Sequence, residues 1–597
     1  GAGMIILGCQ FISPELVSGC IEGTIEPNTS LPRLSVLCEK VHQYGTKICA
    51  QLSCGVGRNA FLERFSKPIS ASCIPSALDP SVMCHEITKE EIGKIMEAFT
   101  KAAHNAALAG FDAIEIHAHA GYLVDQFLSP VWNKRTDEYG GTVKNRTRFA
   151  KEIIEAVKKG CAGNMPVLFR ISMDHRTGDG RGIEDSIEII KELEKEGVDA
   201  FDVDAGSYET IDYIFPTAYL GDACMAYTAR AAKEAVSVPI LNAGNHTPET
   251  AKELIENKDA DFVMIGRGLI ADPDLPKKLR DDRREDIRPC IRCNEDCIGR
   301  TAAFKMAMLS CAVNPEACQE RWFHLEKTKE PKRVCVIGAG PGGLEAACTA
   351  ARCGHIVTLF EKEDEIGGQL TAAATPKFKS QLKALLDYYR KQLDKLGVSV
   401  HLGYEIKAED TKLEQYDRWI AATGANPFTP PIPGMDGENV ISVLDAHRHK
   451  DMIKGEQIVI CGGGLSGCDC ALELAMEYGK KPVIVEMMDK LAPKMIMMNR
   501  ASMQRMLKEQ NIEVYTGCRV EKVEDGRVSI LDKDNNRSTL RADTVISAFG
   551  MRSDNLLADA LEKKYGWRVR TVGDCNQIGR VGLAIREGYF AGSTIDE

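Results

Sequence analysis

Four cysteines, spaced Cys290-x2-Cys293-x3-Cys297-x13-Cys311, carry the clearest chemistry in the sequence. Tight turns bring such thiols together, and four thiolates, one per iron, can wrap a [4Fe–4S] cluster. A structural zinc ion is the competing occupant, because it also takes cysteine pairs two residues apart. The neighbours favour the cluster, since two glycine-rich turns of the dinucleotide-binding kind follow it. The first, Gly338-Ala-Gly340-Pro-Gly-Gly343, comes after the apolar run Val334–Ile337 and before an Ala-rich helix, and the next strand, Ile356–Phe360, ends in Glu361. The second, Gly462-Gly-Gly464-Leu-Ser-Gly467, follows Gln457–Cys461 and is answered by Val483–Val485 and Glu486. Glycines there shape the turn and let the backbone approach a pyrophosphate, and the acid takes the ribose hydroxyls. An acid at Glu486 would repel the extra phosphate of NADP, so NADH is favoured. A one-electron centre beside two nucleotide-binding folds reads as a relay inside a flavoprotein.

Other polar residues sit where a parallel barrel would gather a site. Residues 1 to about 275 alternate short apolar runs with helical patterns, the signature of a parallel sheet with crossover helices. The runs are Met4–Leu7, Ile48–Leu52, Ala113–Ile116, Val167–Ile171, Ala200–Val203, Pro239–Leu241 and Phe262–Ile265. Thr88 and Glu91 form a capping box ahead of Ile92, Ile95, Met96 and Phe99, and Gly110 closes that helix. Seven runs are one short of a (β/α)8 TIM barrel. The sequence opens Gly1-Ala-Gly directly into a strand with no initiator Met. The first strand and its loop are therefore expected upstream; an open seven-stranded sheet is the alternative. Gln51 ends one strand, His117 through Tyr122 follow the next, and Arg170 ends another. Active sites of such barrels collect at that face. Any one of these residues could instead be a core ion pair. Two late loops, Asn242-Ala-Gly244-Asn and Ile265-Gly266-Arg267-Gly268, suit a phosphate, with backbone N–H groups exposed by glycine and a charge from Arg267.

Val572-Gly573-Asp574, ahead of a helix near Val581, reads as the closing strand of the first nucleotide fold, so the second fold is expected to be inserted into the first. The proline-rich stretch Asn426-Pro-Phe-Thr-Pro-Pro-Ile-Pro reads as a hinge. The expected domains are 1–280 for the barrel, 281–330 for the cluster segment, 331–450 with 560–597 for the first nucleotide fold, and 451–559 for the second. The chain of 597 residues is long enough for about three or four domains. A net charge of −11 argues against a nucleic-acid partner. No apolar run approaches a membrane span, and no charged-then-apolar leader appears. The 22 cysteines then read as reduced thiols of a cytoplasmic protein, four of them set aside for the cluster. A small-molecule substrate is expected, and a homo-oligomer is left open.

Asn133-Lys-Arg-Thr-Asp137-Glu-Tyr-Gly140-Gly141, with Asn145-Arg146, is similar to the signature of the Old Yellow Enzyme family. With the four cysteines and two fingerprints, the whole chain resembles that family's multidomain branch, which includes 2,4-dienoyl-CoA and 2-enoate reductases, trimethylamine dehydrogenase and bile-acid-inducible oxidoreductases. The resemblance implies FMN in the barrel, a [4Fe–4S] cluster beside it, FAD in the first nucleotide fold and NADH in the second. It matches Gln51, Arg170, Gly244, Gly266 and Arg267 to FMN, and Glu361, Gln369 and Asp574 to FAD. Tyr122 matches the family's proton-donating tyrosine, and His117 a histidine that holds the substrate's carbonyl oxygen. This sequence departs from the pattern at Ala120, where relatives carry a second His or Asn, and at Cys54, where many carry His. His119 lies near, but from a strand end it is expected to point elsewhere. The last gap in the cysteine motif is also longer than in the dienoyl-CoA reductase type.

The chemistry so implied is reduction of an activated alkene. Electrons pass from NADH through FAD and the cluster to FMN, and hydride goes to the β-carbon. Donors aimed at the carbonyl oxygen stabilise its growing charge, and Tyr122, with a tyrosine's ordinary pKa near ~10, protonates the α-carbon. Enoates, enoyl-CoA thioesters and 3-oxo-4-ene steroids or bile acids are the candidate substrates. The alternatives are the reverse desaturation, amine oxidation of the trimethylamine dehydrogenase kind, and an electron-transfer module serving a partner protein. The residues between Tyr208 and Met225, including Tyr213 and Phe215, are expected at the barrel mouth.

Overall fold

The computed structural model describes residues 1–13, 23–25, 28–61, 67–301, 305, 307–524 and 526–596. Two compact units divide the chain: residues 1–216 with 221–265, and residues 217–220 with 266–597.

The first unit is built on a seven-stranded sheet whose spatial order is its chain order: β1 (Met4–Phe11), β2 (Lys47–Ser53), β3 (Ala113–Ala118), β4 (Val167–Asp174), β5 (Ala200–Ala205), β6 (Ile240–Asn242) and β7 (Phe262–Val263). Every neighbouring pair is parallel. All seven expected runs are strands, and the winding is that of a (β/α)8 barrel. Every residue of β3 and β5 is buried, as parallel strands covered on both faces require. Among the described residues β1 and β7 are the two edges of the sheet, and apolar Ile5 and Phe262 stand 43% and 57% exposed there. Helix α1 (Lys89–Ala109) starts at the expected capping box and ends at Gly110 in the left-handed region, φ 91°.

Alternation along the strands stacks the interior in layers. Cys49, Ala113, Leu168, Ala200 and Leu241 form an apolar floor. Two residues further along their strands stand Gln51, Glu115, Arg170 and Asp202, and two further again His117, Ser172 and Asp204. The barrel thus changes from an apolar packing layer to a charged one within a single pleat repeat.

In the second unit, a five-stranded parallel sheet runs in the order Ser399–His401, Ile356–Phe360, Arg333–Ile337, Arg418–Ala421, Val569–Thr571. Its last strand comes from the far end of the chain and pairs with Arg418–Ala421. A second five-stranded parallel sheet is built entirely from intervening residues, with Gln457–Cys461 at its centre. The expected hinge is not a free linker at its start: Ala425–Pro427 pairs antiparallel with Met551–Ser553, so the outgoing and returning chains run as one ribbon. Helix Val581–Ser593 lies tightly on helix Pro341–Arg352, since a Cβ on Gly588 would stand 2.2 Å from the Gly342 carbonyl oxygen. No helix among the described residues is long and apolar enough to cross a membrane.

Candidate active site

Past the end of β3 the chain turns through two left-handed residues, Ala120 at φ 60° and Gly121 at φ 76°, and delivers Tyr122 as the N-cap of helix α2 (Leu123–Leu128). A left-handed alanine costs roughly 1–2 kcal/mol, so something must hold the turn. Asp125 does so: its Oδ2 accepts the Gly121 N–H at 2.7 Å. Asp125 also accepts bonds from Arg181 Nη2 and His175 Nε2, and the side chains of this trio are at most 1% exposed. Burial alone would raise the Asp125 pKa, but the charges of His175 and Arg181 and the Gly121 bond hold it well below the usual carboxylate range. Tyr122 emerges from this anchored turn with its ring stacked on His117, centroids 4.4 Å apart and planes 8° apart. The two residues expected to do the chemistry are therefore in contact.

Below them lies the charged layer. Gln51 donates to Glu115 at 2.6 Å. Arg170 donates to Asp204 Oδ2 at 2.8 Å and faces Asp202 at 3.5 Å. Burial raises the pKa of Glu115 and of Asp202 against the pull of Arg170. Buried atoms left without a hydrogen-bond partner here include Glu115 Oε1, both Asp202 carboxylate oxygens and a pair of nitrogens, Arg170 Nε and His117 Nδ1. Orphaned buried donors and acceptors are rare, and this pair at a barrel's C-terminal face suits a polar ring system such as the pyrimidine edge of a flavin. The residues fit FMN on that ground.

His119 corrects the expectation from the sequence. Residues i and i+2 of an extended chain share a face, so His119 turns to the same interior as His117. Its Nδ1 lies 2.7 Å from Asp204 Oδ1 and 3.0 Å from Ser172 Oγ. Its ring centroid is 5.7 Å from that of His117. The stretch expected at the barrel mouth also divides. Tyr208 approaches Tyr122 with centroids 6.2 Å apart and Tyr213 packs under the Arg176 guanidinium, whereas Thr217–Leu220 groups with the second unit.

Of the phosphate loops, Gly244 belongs to the first unit, at φ 129°, where a Cβ would press on Met225 at 2.9 Å. Gly266 and Arg267 belong to the second, where Arg267 Nη1 donates to Asn294 Oδ1 at 2.6 Å. Asn294 lies between Cys293 and Cys297, so Arg267 is tied to the cysteine loop. Cys290, Cys293, Cys297 and Cys311 share one neighbourhood. Burial pushes the Cys293 thiol well up, and negative charge on Cys297, Cys290 and Cys311 adds to the rise. No three His, Cys, Asp or Glu side chains among the described residues converge on a single ion. Four thiols in one neighbourhood are a donor set that an iron–sulfur cluster takes at one thiolate per iron, and that a zinc ion also takes.

The two fingerprints share one design. A Cβ on Gly343 would fall 1.9 Å from the Gly338 carbonyl oxygen, and on Gly467 2.0 Å from that of Gly462. A Cβ on Gly338 or Gly462 would meet the backbone oxygen of Ala422 or Ala548 at 2.2 and 2.3 Å. Gly340 and Gly464 alone open on free space, where a pyrophosphate would lie. Glu361 accepts from the Ala339 and Glu363 N–H groups at 2.6 and 3.0 Å, and Glu486 from those of Gly463 and Met488, both at 2.7 Å. Each acid so latches its glycine turn. Gln369 donates to the Ala425 carbonyl, and Asp574, raised by burial, accepts from the Gly579 N–H at 3.0 Å.

The sequence profile of the NADH:flavin oxidoreductase / NADH oxidase family matches residues 1–286, and that of the pyridine nucleotide-disulphide oxidoreductases matches residues 332–577. An NADH oxidase of Thermoanaerobacter brockii is 35% identical over 99% of this chain and 91% of its own. The chain belongs to the multidomain Old Yellow Enzyme-type family. A cinnamate reductase of Clostridium sporogenes is 34% identical over 100% of this chain and 92% of its own. The solved 2-naphthoyl-CoA reductase with 2-naphthoyl-CoA superposes with a TM-score of 0.91 at 29% identity, covering 99% of this chain and 92% of that one. This member of the family is an NADH-dependent oxidoreductase and a flavoprotein, with FMN belonging to the first matched region and FAD or NAD(P) to the second.

Proposed function

We propose that this enzyme reduces the C=C bond of an α,β-unsaturated carbonyl compound, an enoate, an enoyl-CoA thioester or a 3-oxo-4-ene steroid. The observation that carries the reading is the stacked pair of His117 and Tyr122 on an anchored turn: an oxygen donor and a proton donor side by side. Gln51, Arg170, Gly244, Gly266 and Arg267 would hold FMN. Gly338, Gly340, Gly343, Glu361, Gln369 and Asp574 would hold FAD, and Gly462, Gly464, Gly467 and Glu486 NADH. Cys290, Cys293, Cys297 and Cys311 would hold a [4Fe–4S] cluster. The domains would be 1–280, 281–330, 331–450 with 560–597, and 451–559, except that the strand Val440–Ser442 pairs into the second nucleotide sheet. When bound, the flavins and cluster supply hydride and single-electron transfer.

The protein's own part is positional. Burial, helped by positive charge on His119 and Arg170, holds the His117 pKa well down and keeps the ring neutral. A neutral imidazole carries one N–H and can donate it to the carbonyl oxygen. As charge grows on that oxygen the bond strengthens, an effect worth about 10²–10³ in rate per donor. The Tyr122 hydroxyl then passes its proton to the α-carbon. Asp125, through Gly121, fixes where that hydroxyl stands. The free space at Gly464 beside a latched Glu486 supports NADH, rather than an amine, as the electron source.

The test is Tyr122→Phe, which keeps the stacked ring and removes the proton. Alkene reduction should fall by about 10²–10⁴, the usual worth of a general acid, while NADH still bleaches the flavins at the parent rate. Turnover at the parent rate would remove Tyr122 from the reaction.

A further inference from the structure

Position 120, where a second oxygen donor would stand, is an alanine that can give no side-chain hydrogen bond. His119 faces the same interior and is built differently. Ser172 gives its own proton to the Gly206 carbonyl at 2.8 Å, so its oxygen can only accept, and it also receives the Ala120 N–H at 3.1 Å. Both neighbours of His119 Nδ1, Ser172 Oγ and Asp204 Oδ1, are therefore acceptors, and Nδ1 must carry the proton. A neutral ring would then present only a lone pair at Nε2, which would repel a carbonyl oxygen. A charged ring presents a second N–H.

The surroundings favour the charged ring. Burial alone would raise the Asp204 pKa, but His119 and Arg170 hold it below the usual range, so a carboxylate stands against the imidazole. Arg170 shares the other oxygen of Asp204, Asp202 and Glu115 lie beyond Arg170, and His117 is neutral. The ring centroids of His117 and His119 are 5.7 Å apart. Two N–H donors can share one oxygen when they stand within about 6 Å of each other, twice an ordinary N···O distance.

We propose that His119, held as the imidazolium by Asp204, is the second donor to the substrate's carbonyl oxygen, through Nε2. The family's pair is thereby rebuilt one residue earlier in the chain, with a charged member. This rests on the ene-reductase reading, and the experiment separates the two.

The probe is 4-nitrophenolate, an oxyanion whose absorbance reports binding, titrated into flavin-loaded holoenzyme alongside measurement of kcat/KM. His119→Leu should weaken phenolate binding and lower kcat/KM by about 10- to 100-fold, the worth of a charge-assisted hydrogen bond, with NADH-driven flavin bleaching unchanged. His119→Asn keeps an N–H donor on a shorter side chain, so it should recover part of the affinity. Asp204→Asn removes the carboxylate 2.7 Å from His119 Nδ1, so it should weaken phenolate binding as well, and it decides the matter if His119→Leu does not retain flavin. Parent-like phenolate affinity in His119→Leu, or in Asp204→Asn, overturns the proposal. If the parent reduces no alkene, the ene-reductase reading fails; phenolate affinity that still depends on His119 upholds the donor.

Discussion

Replacing Asp125 by alanine should cost stability and activity together, and the structure sets the size. Arg181 and Asp125 are each 0% exposed at the side chain. Removing the carboxylate leaves a guanidinium buried without its counter-charge, a change worth about 3–5 kcal/mol in molecules whose net stability is about 5–15 kcal/mol. With a urea slope of about 3 kcal/mol/M, the barrel's midpoint should fall by about 1–1.7 M. FMN released during a urea titration, separated from FAD by chromatography, reports that transition. Asp125→Asn keeps the shape and can still accept the Gly121 N–H, so it should fall between. The pH dependence has a definite sign. The folded pKa of Asp125 is depressed, so its contribution is complete above about pH 4, near the unfolded value, and is lost as pH falls through the lower folded value. The gap between parent and Asp125→Ala should therefore stay level from about pH 8 to 5 and close only in acid. A midpoint within about 0.2 M of the parent would refute the view that this ion trio holds the Tyr122 turn.

Three further outcomes follow from the second unit. Gly464→Ala meets free space, so it should leave the melting temperature unchanged and raise the KM for NADH, whereas Gly467→Ala, with its Cβ 2.0 Å from the Gly462 oxygen, should lower the melting temperature as well. Glu486→Ser should raise the ratio of NADPH to NADH in kcat/KM by about tenfold, equivalent to about 1.4 kcal/mol of relieved repulsion, measured with both coenzymes. Cys297→Ala should lower iron content per chain and leave NADH able to bleach flavin without alkene turnover; full iron content would remove Cys297 from the cluster.

The strands were legible because each is a short apolar run, and α1 because Thr88, Glu91 and Gly110 mark its ends. Both fingerprints could be read because a glycine turn, its helix and its acid are neighbours in sequence. The parts that escaped join distant residues. Asp125 meets Arg181 56 positions away, and His119 meets Asp204 85 positions away. No local pattern announces such a pairing. Two signals were nonetheless present. Asp202-Val-Asp204 places carboxylates in a strand otherwise fit only for burial, and carboxylates so placed need partners. His117 and His119 are two apart, and the period of a strand puts them on one face.

The interrupted first nucleotide fold also dictates an order of assembly. Its fifth strand, Val569–Thr571, leaves the ribosome only after the whole of the second sheet, whose strands all lie between Val440 and Ser547. During synthesis the later-numbered fold can thus close while the earlier one waits with Arg418–Ala421 as an unpaired edge, a surface prone to pairing with other chains. A polypeptide cut short before Val569 would carry a finished second fold and an open first one, so truncation here would produce sticky chains rather than merely inactive ones.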